Sequence, residues 1–327
     1  MFARRVTCRL CLALAIITPS ARAAPFAYVS NGAASTVTVI DLESNSVAAT
    51  VEVGRLPRGM GLHPSGKRLY VANVADDSVS VVDTGTNRVV ATVTGIAAPV
   101  GVAAHPDGSR IYVASNTRNA VSVIDAKSNA VVGSVAVGDA PFWLQMNSAG
   151  SRLYVSNLED QTVTVLDTAS LKEVTTVATR YFAAHLVTEP RGSKVYFPNG
   201  RSEIAFIDPE KSSKVMARVK VGSNPNGLAM TRDGNRLYVA NYGSNTVSVI
   251  DLRLQRVRAT FAVGMLPIDL AINDAGNRVY VANSLSGDVS VVDTSSKANT
   301  VIATVKVGEK PVCIVLGLAG TGPPAAK

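Results

Sequence analysis

Apolar and polar residues alternate along this chain in short bursts. In Ser78-Val79-Ser80-Val81-Val82-Asp83, and in similar V-S-V-I-D segments along the chain, valine or isoleucine takes nearly every second position with a small hydroxyl residue between. A period of two puts successive side chains on opposite faces of an extended backbone, so each burst predicts a β-strand. Clusters of Asn, Asp, Gly, Ser and Pro separate the bursts and predict turns. No stretch approaches the roughly 18 apolar residues of a membrane-crossing helix.

The bursts repeat. Tyr stands at 28, 70, 112, 154, 196, 238 and 280, a spacing of 42 residues held through all seven copies. Most copies read Tyr-Val-x-Asn, as in Tyr70-Val71-Ala72-Asn73 and Tyr238-Val239-Ala240-Asn241. The following strand ends in Asp, at 41, 83, 125, 167, 208, 251 and 293, the fifth hairpin being one residue short. In the second copy, residues 57–62, 68–72, 78–82 and 88–93 read as four strands, with His63-Pro64-Ser65-Gly66 as a turn. A repeat of about 40–45 residues with four strands is a propeller blade. Seven copies predict an all-β, seven-bladed β-propeller of four-stranded blades.

The ends predict how the ring closes. Residues 26–53 supply the second, third and outer strands of a blade, with no inner strand before them. At the far end, residues 311–316 fall where Pro57, Pro99, Pro141, Pro225 and Pro267 begin inner strands elsewhere. One composite blade therefore joins the N- and C-terminal strands.

Composition refines this picture. With 47% hydrophobic and 17% charged residues, the chain can bury a large core and is not of disordered type. Arg4 and Arg5, the apolar run 10–17 and Ala21-Arg22-Ala23 read as a secretory signal peptide over residues 1–23, cleaved near Ala23. Residues 24–319 then form one propeller domain and 320–327 a disordered tail. Cleavage removes Cys8 and Cys11, leaving Cys313 without an intramolecular partner, and halves the formal net charge of +8. The remaining charge is modest for a nucleic-acid binder. A periplasmic, secreted or cell-surface protein, monomeric and without a membrane span, is expected.

The repeats resemble the YVTN β-propeller repeat proteins, through Tyr-Val-x-Asn, the V-S-V-I-D segments and the V-x-V-G-x-x-P connections at Gly54, Gly138, Gly222 and Gly264. The resemblance spans the chain after the signal segment. It implies a secreted or surface-exposed propeller with no single activity. Associations in the family include adhesion-like surface layers and single-stranded DNA binding, while similar seven-bladed propellers include lactonases and haem-carrying nitrite reductase domains.

Residues shared by all blades serve what every blade needs, so function is sought where the pattern breaks. Arg68, Arg110, Arg152, Lys194, Arg236 and Arg278 recur as a basic ring, but the expected register sets Arg68 opposite Asp83 and Arg110 opposite Asp125 as ion pairs. At the second position after the inner-strand Pro, Gly59, Gly101 and Gly227 alternate with Trp143, His185, Asp269 and Cys313. Adjoining positions add Arg58, Phe142 and Asn226. Together these collect a cation, two aromatics, an imidazole, an amide, a carboxylate and a thiol at one mouth of the channel, as either a small-molecule pocket or a plug. Arg180-Tyr181-Phe182 and Pro198 with Arg201 alter the fourth-to-fifth blade connection on the same face.

No nucleophile elbow, zinc-protease helix, phosphate loop or haem-attachment motif is present. His63 and His105 sit in equivalent turns on the opposite face, so a His-rich metal site is not expected, and no cofactor is implied. A Ca²⁺ site of Asp and backbone oxygens stays open. Two classes of function follow. One is a binding or scaffold protein holding a partner protein, polysaccharide, small molecule or, less favoured, single-stranded nucleic acid. The other is a lactonase-like hydrolase or lyase, with His185 or Asp269 as base and Arg58 steadying an anion.

Overall fold

The computed structural model describes residues 26–296 and 298–317. The expected signal segment and C-terminal tail lie outside the described residues. Twenty-eight strands, β1 to β28 in chain order, form seven four-stranded antiparallel sheets arranged as blades. The composite blade has the order β28, β1, β2, β3, where β28 is Pro311–Leu316, β1 Phe26–Asn31, β2 Thr36–Asp41 and β3 Ser46–Glu52. Every other blade uses four consecutive strands. Among the described residues no helix is long and apolar enough to cross a membrane.

Alternation decides what is buried. Each second and third strand lies between neighbouring blades, so both faces find an apolar partner. Tyr70, Val79 and Val81 of the second blade pack with Ile111, Val113 and Ile124 of the third in one cluster. The repeated tyrosines are core residues, and burial pushes the Tyr28 and Tyr154 hydroxyls up to about 12. The strand-ending aspartates turn the chain: Asp125 and Asp167 each accept the backbone N–H and the hydroxyl of the serine three residues on, which lowers their pKa.

The signature Asn is a clasp. Asn73 Nδ2 donates to Ser78 Oγ and Ser80 Oγ across its own hairpin, and Asn157 and Asn241 do the same. Its side chain lies against the glycine of V-x-V-G: a Cβ on Gly54 would stand 2.6 Å from Asn73 Cγ. Gly222, Gly264 and Gly308 meet Asn241, Asn283 and Asn31 at the same distance. The third blade departs at both positions together, with Ser115 for Asn and the buried Ile96 for Gly. Gly54→Ala is therefore expected to cost about 1–3 kcal/mol by overpacking. Adding Asn73→Ser, which makes room as in the third blade, is expected to restore part of that loss in a chemical-denaturation double-mutant cycle. Strict additivity would refute the coupling.

The basic ring has the expected register but only part of the expected pairing. Arg152 and Arg278 bind Asp167 and Asp293 at 2.5 and 2.8 Å. Lys194 instead pairs with Glu189. Arg110 and Arg236 reach into the next blade, to the carbonyls of Thr168 and Gly276. Arg68 stands opposite Asp83 without an ion pair. A long guanidinium at a blade seam finds the neighbouring blade's carbonyl as readily as the carboxylate across its own hairpin.

Candidate functional site

Inner strands crowd the channel axis, and glycine lets them approach. A Cβ on Gly59 would stand 2.3 Å from the Val100 carbonyl oxygen, and one on Gly101 2.4 Å from that of Phe142. A larger side chain at this position therefore needs its neighbour to recede. The neighbour of Trp143 does. The fifth blade's inner strand shrinks to Val187–Thr188, so His185 lies in the irregular segment ahead of it rather than at a strand start as the repeat predicts. The paired strand carries Pro198 where other blades have Ser or Ala, and proline has no N–H to give the ladder.

Into this gap turn Trp143 and His185. Their ring centroids are 3.8 Å apart and the planes 30° from parallel. A Ser156 hydroxyl holds the Trp143 backbone N–H at 2.9 Å. His185 is 6% exposed, and its Nε2 stands 3.3 Å from Asp269 Oδ1. The Asp269 carboxylate thus faces the Nε2 edge of the imidazole, and Nδ1 is on the other edge. Neither His185 Nδ1 nor Trp143 Nε1 has a hydrogen-bond partner, although both atoms are buried.

Asp269 does structural work at the same time. Its Oδ1 accepts the Leu270 N–H at 2.8 Å and its Oδ2 the Ile314 N–H of β28 at 3.0 Å. Burial, then the Asp269 charge, pushes the Cys313 thiol well up, so it stays protonated and is a poor nucleophile at neutral pH. At the rim the Arg58 guanidinium lies 5.6 Å over the Phe142 ring, within cation–π range, and burial lowers its pKa.

Arg58, Phe142, Trp143, His185, Asn226, Asp269 and Cys313 all line one cavity of about 130 Å³. The seven residues singled out by departure from the repeat are thus brought together. Gly59 and four residues that were not singled out, Val100, Ala184, Ile268 and Val312, complete the lining. These four are ordinary apolar residues at adjoining positions and carry no pattern of their own. The cavity is smaller than the roughly 300–1,000 Å³ of drug-sized ligand pockets, which limits an occupant to a small molecule. It offers an indole N–H, an imidazole nitrogen and a rim cation. Among the described residues no group of three or more His, Cys, Asp or Glu is placed to hold a metal. His63 and His105 are turn residues elsewhere, bonding through Nε2 to the carbonyls of Gly108 and Gly150.

Fold and site together define a seven-bladed propeller with a largely apolar cavity carrying a few polar groups at one channel mouth. The chain belongs to the YNCE-like beta-propeller family, whose model matches residues 4–317. The YVTN-type signature agrees with this assignment. No curated protein matches the chain. Among solved structures, hydrazine synthase of Kuenenia stuttgartiensis is similar with 24% identity and TM-score 0.73, over 82% of this chain and 92% of that one. A functionally unknown protein from Desulfotomaculum acetoxidans matches with 14% identity and TM-score 0.79, over 91% and 99%. Dihydro-heme d1 dehydrogenase NirN, in complex with DHE, matches with 14% identity and TM-score 0.66, over 89% and 74%. At these identities the likeness is one of fold.

Proposed function

We propose that this chain is an exported propeller that binds a small polar ligand at the channel mouth, as a binding or scaffold protein. The observation that carries the reading is the pair of buried, unpartnered groups, Trp143 Nε1 and His185 Nδ1, on the wall of one cavity. Buried polar atoms cost free energy unless something satisfies them. A ligand with an acceptor for the indole N–H and a hydroxyl or N–H for the imidazole would do so, and a negative charge on it would face Arg58. Small hydroxy acids meet all three requirements.

A lactonase-like reaction has less support. Both Asp269 oxygens already accept backbone N–H groups, so the burial of this carboxylate has a structural reason that needs no catalysis. Export rests on the signal-like segment: secretion by a bacterial host should yield a chain beginning at Ala24 by intact-mass measurement, and a retained segment would refute cleavage there.

Trp143 is the chain's single tryptophan, so its fluorescence reports the cavity directly. A panel of small hydroxy acids is expected to change that emission in the native protein and not in His185→Ala, whose melting should shift by only a few degrees. The plug reading predicts the reverse. Under it no ligand responds and Trp143→Ala loses about 3–5 kcal/mol as a buried aromatic truncation.

A further inference from the structure

Away from the mouth, two departures from the repeat converge between the sixth and seventh blades. The first is a bulge. Every outer strand carries one extra residue at the same register, at Ala48, Val90, Val132, Val174, Met216, Arg258 and Ile302. A bulge re-aims its side chain. Six of these residues are apolar and one is arginine. The second is a turn: residues 294–299 join the seventh blade's last two strands, where most blades use four residues. Beside these two departures stands Arg236, which like Arg110 of the basic ring reaches the next blade's carbonyl instead of an ion-pair partner.

These features border one cavity of about 320 Å³, lined by Arg236, Tyr238 and Arg258 of the sixth blade and Thr294, Ser295 and Ser296 of the seventh. Arg236 is held in place by its bonds to Tyr238 Oη and the Gly276 carbonyl, at 3.2 and 3.1 Å. Two of its five N–H donors are so used, and three remain. Arg258 is exposed and makes no ion pair. The Ser296 hydroxyl accepts the Ala298 N–H and keeps its own hydrogen to donate. Three carboxylates stand nearby: Asp251 is opposite Arg236 and accepts the N–H groups of Arg253 and Leu254, Asp233 bonds Thr231 and Asn235 and is stabilised by the Arg236 charge, and Asp293 pairs with Arg278 and accepts the Ser295 hydroxyl.

We propose that this cavity, where Arg236 and Arg258 face the hydroxyl-bearing turn 294–296, binds a tetrahedral oxyanion, as a phosphate or sulfate monoester. The Thr294 and Ser295 hydroxyls already donate to the Gly276 carbonyl and to Asp293, so two guanidinium groups and the Ser296 hydroxyl supply the donors, the guanidiniums in the forked arrangement that such groups accept. The site shares no lining residue with the mouth cavity.

The test uses calorimetric titration of the full chain with inorganic phosphate, inorganic sulfate and glycerol phosphate, with glycerol as the uncharged control. The first two arms separate phosphate from sulfate preference, and the third shows whether an ester fits. Arg258→Val installs the residue other blades carry at this bulge, so the ring is retained. It is expected to weaken anion binding about tenfold or more, as loss of a charged hydrogen-bonding partner does. Arg256→Val removes the same charge two residues away, outside the cavity lining, and is expected to change affinity less than about twofold. Equal weakening by the two variants, or no anion binding to the native chain, would overturn the proposal.

Discussion

A chain ending at Lys310 is expected to lose its native fold, in contrast to the loss of a few degrees that a trimmed terminus ordinarily causes. β28 pairs with β1 from Ala27↔Leu316 to Asn31↔Pro311, so its removal bares one whole edge of the first blade. The same cut removes Cys313 and Ile314 from two core clusters. It also orphans Ser30 Oγ, which accepts the Cys313 N–H at 3.2 Å while donating to the Arg58 carbonyl at 2.7 Å, and so ties the last strand to the first inner strand. An unpaired edge in a ring is a template for association between chains. The measurement is soluble yield and melting of the truncated chain, with aggregation or a fall of about 10 °C or more expected. Melting equal to the full-length protein would refute closure by β28.

The second large effect is expected at Asp269. Asp269→Ala leaves the buried N–H groups of Leu270 and Ile314 without their acceptor, at about 1–3 kcal/mol each. It also frees the His185 ring, so loss of stability and loss of any ligand response at Trp143 should appear together. Asp269→Asn keeps one acceptor oxygen and should recover part of the stability. Asp269→Gly is the sharper control, because Gly59, Gly101 and Gly227 occupy this position in other blades. If glycine there melted like the native protein in urea, the carboxylate would have no part in holding the seam.

The architecture was legible because one physical requirement recurs seven times. Each blade must alternate apolar and small polar residues to pack between two neighbours, and must turn at the same places, so Tyr, Asn and Asp repeat in step. The composite blade could be read from Pro311 because an inner strand was missing at one end and spare at the other. The candidate site was legible only as departures from that repeat, and its residues do converge. What stayed hidden was tertiary. Sequence placed His185 at a strand start, whereas Pro198 on the partner strand shortens the pairing and leaves His185 in an irregular segment. It named Asp269 as a candidate base and did not reveal that its oxygens bind backbone on two blades. It assigned the arginines to carboxylates across their hairpins, whereas Arg110 and Arg236 reach the next blade. The close fit of Gly54 against Asn73 was not read from the sequence and emerges only from the 2.6 Å approach.

The meeting of first and last strands also sets a timetable for folding. The Cys313–Ser30 hydrogen bond joins residues 283 apart in sequence, and the edge of β1 has no partner until residues near 316 have been made. Loop-closure entropy grows only slowly with length, so the completed ring bears little extra thermodynamic cost from this separation. The kinetic consequence is larger, because pairings so distant in sequence form slowly. A nascent chain carries most of six blades, each complete in hydrogen bonds, while the blade that began first is the last to be finished. During that interval β1 stays open to wrong partners, including the β28 of another copy, and exchange of this one strand between two rings is the natural route by which the protein would dimerise.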